Sequence, residues 1–346
     1  MSSADLALVT RELMLKSMIN EVYLRMPFIE ELQKRNQIIT KGGLTIDRIV
    51  DKEEIDDLAQ SYTMKETLTD GAKDTLAKPS FNWKYVQLPL KYDGEVEIQN
   101  LNAGSEEQIY DLAEHLAKKG QRGIKLKLQT MLFNNGSTNT TDYNDSGKNF
   151  QSLVNALKHD DTYGGLTRTA GTSAAGTNDW WQGADPNGFF GQIASSSQNT
   201  AANLTISNLR KWVIPVQQYM EAKEDLMVLM CPTLFNKLKA ECESKMVYYP
   251  AKDTGNVGFN KMYIDGHQIV DVPYLEQTAT TKRWVFILNL PTWELRINPA
   301  RNFKVTDFEW QGNKANGFDF YLSRILLAGN FMTWQPNANM FLSNIS

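Results

Sequence analysis

Cysteine and histidine are both scarce in this chain. Its 346 residues include two cysteines, Cys231 and Cys242, with no third cysteine or histidine nearby, so neither a zinc site nor a disulfide framework is indicated. That usage fits folding in a reducing cytoplasm. The three histidines, His115, His159 and His267, stand apart in the sequence. None has an identified partner for proton transfer, and each reads as an ordinary surface or capping residue. Positive charge is not in excess either: 36 Lys and Arg stand against 40 Asp and Glu, a formal net charge of -4. A chain so balanced carries no phosphate-gripping footprint. Long apolar runs are missing too. Asp5, Arg11, Glu12, Lys16, Glu21 and Arg25 interrupt the first positions, which excludes a signal-peptide core, and no stretch is apolar enough for a membrane helix.

Reactive constellations are also lacking. The nucleophile-elbow, zinc-protease and dinucleotide fingerprints do not occur. Asp142 to Gly147 starts like a calcium loop, with oxygen ligands at alternating positions, but the carboxylate that should close it falls on Leu153. Gly147-Lys148 lacks the upstream glycine and the following hydroxyl of a phosphate loop. The acidic run Asp51, Glu53, Glu54, Asp56 and Asp57 spreads its carboxylates instead of converging them on one ion, so it reads as a solvated face. No catalytic residue, metal ligand or cofactor is expected.

What is present is an order of parts. From Asp5 to Met26, apolar residues recur at helical spacing (Leu6, Val9, Leu13, Leu15, Met18, Ile19, Val22). Pro27 must break this amphipathic helix, and Phe28 to Arg35 restarts as a short one with proline at its first position. Leu44, Ile46 and Ile49-Val50 suggest one strand, and Trp83 to Ile98 suggests two alternating stretches around Pro89. Asp51 to Lys78, charged and poor in large apolar side chains, predicts a long two-stranded excursion with a charged tip. Ser105 and Gln108 then form a capping-box pattern. Behind it, one apolar stripe from Ile109 to Met131 predicts a rod on the order of 45 Å, stopped at Asn134-Asn135-Gly136. Gly120 and Gly123 each cost this helix about 1 kcal/mol relative to alanine. They either allow close approach of another backbone or mark a point where the helix bends.

Phe150 to Lys158 predicts a short helix and His159 to Arg168 a loop. Ala170 to Asn203 is rich in small and polar residues, yet Trp180-Trp181 and Phe189-Phe190 sit within it and predict an ordered loop anchored to the body. Helices are expected at Thr205 to Met220 and Pro232 to Glu243, with a buried strand at Leu226 to Met230 and a hairpin over Gly258 to Val270 that turns at Asp265-Gly266. Further strands are expected at Trp284 to Leu288, Trp293 to Ile297, Phe303 to Trp310 and within Phe318 to Ile345. Strands and helices mix without regular βαβ alternation, so the fold class is α+β.

Phe150 to Arg168, followed by Trp180-Trp181, resembles the region after the long helix in major capsid proteins of tailed bacteriophages, whose shared architecture is the Hong Kong 97 fold. Asp225 to Phe235, Gly258 to Asp271, Phe286 to Asn289 with Trp293 to Leu295, and Phe341 to Ser346 fit the same pattern, in the same order. The layout this resemblance implies is an N-terminal arm at 1–36 and an extended β-hairpin loop at 37–100. A peripheral domain at 101–204 would hold a spine helix near 104–135, an axial domain would occupy 205–300, and 301–346 would return to the peripheral domain.

The resemblance implies a structural protein, not an enzyme. Copies of the chain would form hexamers and pentamers of an icosahedral head around double-stranded DNA, contacted weakly and non-specifically. It would be assembled in the host bacterial cytoplasm and reside in the virion, with a scaffolding protein, a portal and decoration proteins as partners and no membrane. Some relatives carry a scaffolding segment ahead of the arm; with Met1 opening this chain, a separate scaffold is expected. No motif identifies a Lys–Asn pair for crosslinking subunits. Assembly contacts would come from Leu13, Met18 and Val22 in the arm and from Asp51, Glu54, Asp57, Lys65, Lys73 and Lys78 in the loop. Gly120 and Gly123 would be the bend of the spine helix, and Trp180 and Trp181 the loop anchors. Two other readings are an encapsulin-like compartment of the same fold and a carbohydrate-binding protein or hydrolase. The latter would stack sugars on the aromatics of Trp180 to Phe190, where Asp179 and Asp185 are the nearby acids.

Overall fold

The computed structural model describes residues 26–52, 59, 61–64, 75–95, 106–133, 148–158, 161–168, 179–184, 203–245, 261–277, 283–311, 319–343 and 345. In chain order these form α1 (Pro27–Lys34), β1 (Ile38–Thr40), β2 (Ile46–Asp47), β3 (Val50–Asp51), β4 (Leu76–Ala77), β5 (Ser80–Phe81), β6 (Lys84–Asp93) and α2 (Glu106–Leu132). There follow α3 (Leu153–Leu157), β7 (Asp161–Tyr163), β8 (Leu166–Arg168), α4 (Ile206–Gln217), β9 (Leu226–Met230), α5 (Pro232–Lys245), β10 (Lys261–Ile264) and β11 (His267–Asp271). The last are α6 (Tyr274–Gln277), β12 (Val285–Asn289), β13 (Trp293–Ile297), β14 (Lys304–Val305), β15 (Glu309–Trp310), β16 (Phe320–Thr333) and β17 (Met340–Leu342). The chain divides into two compact units, and each is discontinuous in sequence.

The first unit comprises Met1–Gly43, Trp83–Leu153 and Trp293–Met332. Its six-stranded sheet runs β1-β13-β16-β14, with β6 and β15 also paired to the long β16. Pro27 opens α1 as expected, and the buried Phe28, Ile29 and Leu32 form its apolar stripe. Phe28 meets Trp293 edge-to-face at 5.6 Å. Where two stretches were expected around Pro89, β6 is one continuous strand in register with β16 from Asp93↔Phe320 to Lys84↔Gly329. Among the described residues β6 has only this one neighbour, so Pro89, which lacks an amide donor, lies on an edge strand where that loss is tolerated.

Helix α2 runs unbroken for 27 residues, with Leu116, Ile124, Leu128, Met131 and Leu132 buried. Its expected cap, Ser105, lies outside the described residues. The two glycines face the sheet. A Cβ at Gly120 would come within 2.8 Å of Ile325 and 3.2 Å of Leu90, and one at Gly123 within 3.2 Å of Leu88. The neighbours of both glycines are side-chain ends, closest at Gly120, so close packing against the sheet is tighter at Gly120 than at Gly123.

The second unit comprises Leu44–Asn82, Val154–Thr292 and Thr333–Ser346. Its five-stranded sheet has the order β10-β11-β9-β12-β17. β9 and β12 are buried at every position, and β9 lies between β11 (parallel) and β12 (antiparallel), which explains why β9 is apolar throughout and β12 is apolar up to Asn289. Thr205 caps α4 by accepting the Asn208 amide at 3.1 Å, and Leu209, Trp212, Val213 and Val216 supply its buried face. β17 pairs with β12 at one edge of this sheet, so the unit includes the stretch from Thr333 onward.

Two local expectations fail in this unit. Leu44 to Val50 forms two short strands, not one: β2 pairs with β5, and β3 with β4, in a narrow antiparallel ladder. His159 to Arg168, expected to be a loop, contains the hairpin β7–β8. Gly164 (φ 58°) and Gly165 (φ 80°) make its turn, and a side chain at Gly164 would also collide with Phe81 and Pro79. The Asp265-Gly266 turn of β10–β11 has both residues at positive φ, as expected of a two-residue hairpin loop.

Candidate assembly surfaces

The excursion between Leu44 and Asn82 presents apolar side chains to solvent. Leu44 is 94% exposed and Met64 93%, and Ile49, Tyr62 and Leu76 are also open. Its base is tied down by polar contacts. The Ser80 hydroxyl donates to Asp47 Oδ1 at 2.7 Å, Lys78 Nζ lies 3.1 Å from Asp47 Oδ2, and the Ser80 amide donates to the Gly164 carbonyl at 2.9 Å. The Ser80 hydroxyl first, and then Lys78, hold the Asp47 carboxyl below the usual carboxylate range. Of the charged residues assigned to assembly, Asp51 is exposed on β3 and Lys78 adjoins β4. Glu54, Asp57, Lys65 and Lys73 lie outside the described residues, as do Leu13, Met18 and Val22.

Behind the ladder is a buried aromatic and polar cluster. Trp181 is 0% exposed, its Nε1 donates to the Tyr163 carbonyl at 2.8 Å, and Trp180 lies half-buried against it with ring centroids 5.1 Å apart. A ring enclosed on both faces cannot stack a sugar, so Trp181 supplies no such platform. Phe189, Phe190 and Asp185 lie outside the described residues. The Tyr163 ring packs on Phe81 at 4.9 Å, and its hydroxyl accepts the Thr333 amide at 2.8 Å. Burial pushes that phenol far above its ordinary pKa, so it stays a neutral group. Arg168, also buried, donates to the carbonyls of Asn155 and Ala156 at 2.6 and 2.9 Å, where α3 ends. Asn339 continues the network: its Nδ2 donates to Thr292 Oγ1 at 2.9 Å and its Oδ1 accepts the Asn289 amide at 2.7 Å. Sequence reasoning missed Tyr163, Arg168, Thr292 and Asn339. Each is a single residue with no periodic signal, and only the Gly164-Gly165 pair hinted at the hairpin that carries the first two.

Helix α4 and the β10–β11 hairpin are joined by ionic and polar contacts. Arg210 grips Asp265 with two bonds, of 2.6 and 2.9 Å, which lowers the Asp265 carboxyl below its ordinary range. His267, expected as a surface or capping residue, is 3% exposed and so is not at the surface. Its Nδ1 lies 3.0 Å from the Lys223 carbonyl and its Nε2 3.1 Å from Gln217 Nε2. A carbonyl can only accept, so Nδ1 donates and Nε2 accepts from the Gln217 amide. This histidine is a structural link between α4 and the hairpin. Cys231 and Cys242 are both free thiols, and burial raises the pKa of Cys231. Among the described residues, no group of three or more His, Cys, Asp or Glu is placed to hold a metal ion. No described helix is long and apolar enough to cross a membrane.

No protein-family model matches this sequence, and no curated protein matches it. Solved structures do match. The capsid asymmetric unit of cyanophage A-1(L) contains a chain with 13% identity and a TM-score of 0.64, covering 90% of this chain and 90% of that one. The chain has a capsid-protein fold. The capsid of an empty GTA particle is similar at a TM-score of 0.50 and 10% identity, covering 91% of this chain and 96% of that one. An encapsulin complex from Synechococcus elongatus gives a TM-score of 0.48 at 12% identity, covering 91% and 87%, a likeness too loose to weigh one kind of shell against another. The α+β class and the resemblance seen in the sequence therefore hold at the level of the fold.

Proposed function

We propose that this chain is a major capsid protein whose copies associate as hexamers and pentamers into an icosahedral head enclosing double-stranded DNA. The observation that carries this reading is the capsid fold, shared over 90% of the chain with a cyanophage capsid protein. In this reading residues 37–100, which include the exposed excursion between Leu44 and Asn82, are the extended loop, α2 is the spine helix, and residues 1–36 are an arm. A lone subunit gains nothing by exposing Leu44, Ile49, Met64 and Leu76, whereas a neighbour could cover them. The near-balanced charge suits a wall that touches DNA weakly, since a strongly basic lining would bind phosphates tightly. A scaffolding protein, a portal and decoration proteins are the partners proposed, and the virion is the destination. Negative-stain microscopy of the purified protein, alone and with its candidate scaffold, tests the proposal. Shells or capsomers are expected, and a protein that stays monomeric under both conditions would refute it.

A further inference from the structure

The near-balance of charge in the whole chain does not hold along α2. Lys118, Lys119, Arg122, Lys125 and Lys127 follow one another closely, and no Asp or Glu occurs between Glu114 and the helix end at Leu132. With Ile124 and Leu128 buried and Gly120 and Gly123 against the sheet, Lys118, Lys119, Arg122 and Lys127 are left exposed and Lys125 half-buried. Two ordinary explanations for such a run fail. Cations are favoured at a helix C-terminus by the macrodipole, but that effect fades within the last turn, where α2 has no basic residue. Ion pairs within a helix need an acid three or four positions away, and Lys119, Arg122 and Lys127 have none. Arg122 instead has Lys118, Lys119 and Lys125 at those spacings, and like charges so placed repel. Lys118 and Lys125 make contacts of their own within the chain, so the argument rests on the other three. A cationic face kept despite its own repulsion calls for an external anion.

We propose that this face of α2 binds the phosphate backbone of duplex DNA through Lys119, Arg122 and Lys127. It rests on the shell reading for the source of the DNA, and on the helix alone for the chemistry. At 1.5 Å per residue, 118–127 spans about 14 Å, over which one strand of a duplex places about four phosphates. The charge densities therefore match. Leu126, 58% exposed, is the one large apolar side chain open on this helix among the described residues, so a protein partner would find little apolar area to cover. Backbone phosphates need none, and contacts to them read no sequence. Composition averages over this stripe, which is why the balanced total carries no trace of it.

Fluorescence anisotropy of a labelled mixed-sequence duplex of about 20 bp, titrated with the unassembled full-length chain at about 50 mM salt, tests the site. Saturable binding is expected, with log K falling against log salt at a slope of about −3. The triple change Lys119→Glu, Arg122→Glu and Lys127→Glu should weaken binding about tenfold or more and flatten that slope by about two. Glutamine at the same three positions, also a good helix former, should weaken it several-fold and decides the matter if the glutamate protein does not fold by circular dichroism. Lys41→Glu, Lys211→Glu and Lys304→Glu together, at exposed sites elsewhere, give the same net charge and should weaken binding less than about threefold. The proposal is overturned if the parent does not bind the duplex, if the glutamine protein binds like the parent, or if the control triple loses as much as the α2 triple. It is also overturned if a poly-glutamate peptide binds the parent as tightly as the duplex and through the same three residues, since the face would then take an acidic protein segment. Because no readout involves particles, a failure here is distinct from a failure of the shell reading.

Discussion

Single residues decide how closely the layers of this protein approach, and two of them make sharp tests. Alanine at Gly120 would gain about 1 kcal/mol in helix propensity but push on Ile325 and Leu90, and overpacking of that kind costs about 1–3 kcal/mol. Net destabilisation of about 1 kcal/mol is expected in urea unfolding of the subunit. Gly123→Ala, whose nearest neighbour is the end of the Leu88 side chain, should stay within about 0.5 kcal/mol of the parent. Equal and clearly stabilising effects at both sites would show that the glycines are not there for packing. Trp181→Phe removes the donor to the Tyr163 carbonyl and shrinks a fully buried ring, so a loss of about 2–4 kcal/mol is expected by the same measurement.

At the scale of elements, the narrow ladder at the base of the excursion depends on an ionised carboxylate. The Asp47 pKa is lower in the folded state than in the unfolded chain. Its contribution is therefore complete above the ordinary carboxylate pKa and is lost as pH falls through the lower folded value. Amide exchange in β2 and β5 should accelerate, relative to the rest of the chain, between about pH 5 and about pH 3, and Asp47→Asn should remove that dependence. A ladder that opens with the same pH profile in both proteins would discount the Asp47 contacts. The excursion itself is expected to serve assembly rather than folding. Replacing residues 53–74 by a short glycine-serine turn should leave the circular dichroism of the subunit unchanged and abolish shells in electron micrographs. Normal shells from that protein would remove the loop from the assembly mechanism.

For the whole molecule, the N-terminal stripe offers the corresponding test. Changing Leu13, Met18 and Val22 together to aspartate places charge where the sequence shows an apolar face. If that face packs between subunits, burying unpaired carboxylates costs several kcal/mol per contact, and particle yield on a sucrose gradient should collapse. Parental yield would mean that the face contributes no contact to the particle.

Much of this fold could be read from local pattern, because periodicity and turn chemistry act over a few residues. The α2 stripe, the capped α4, the buried runs of β9 and β12 and the Asp265-Gly266 turn each carry their signal within one element. The features that required tertiary structure are those whose cause lies far along the chain. β6 runs through Pro89 because β16, some 230 residues later, supplies a single pairing edge. Gly164 is needed because Phe81 and Pro79 press against the turn, and His267 is buried because α4 and Lys223 close over it. Composition and spacing determined a charge-balanced α+β chain without a recognisable catalytic motif. The packing of distant segments decided which side chains are buried and which face of α2 stays open, because burial is set by neighbours that no local window of sequence contains.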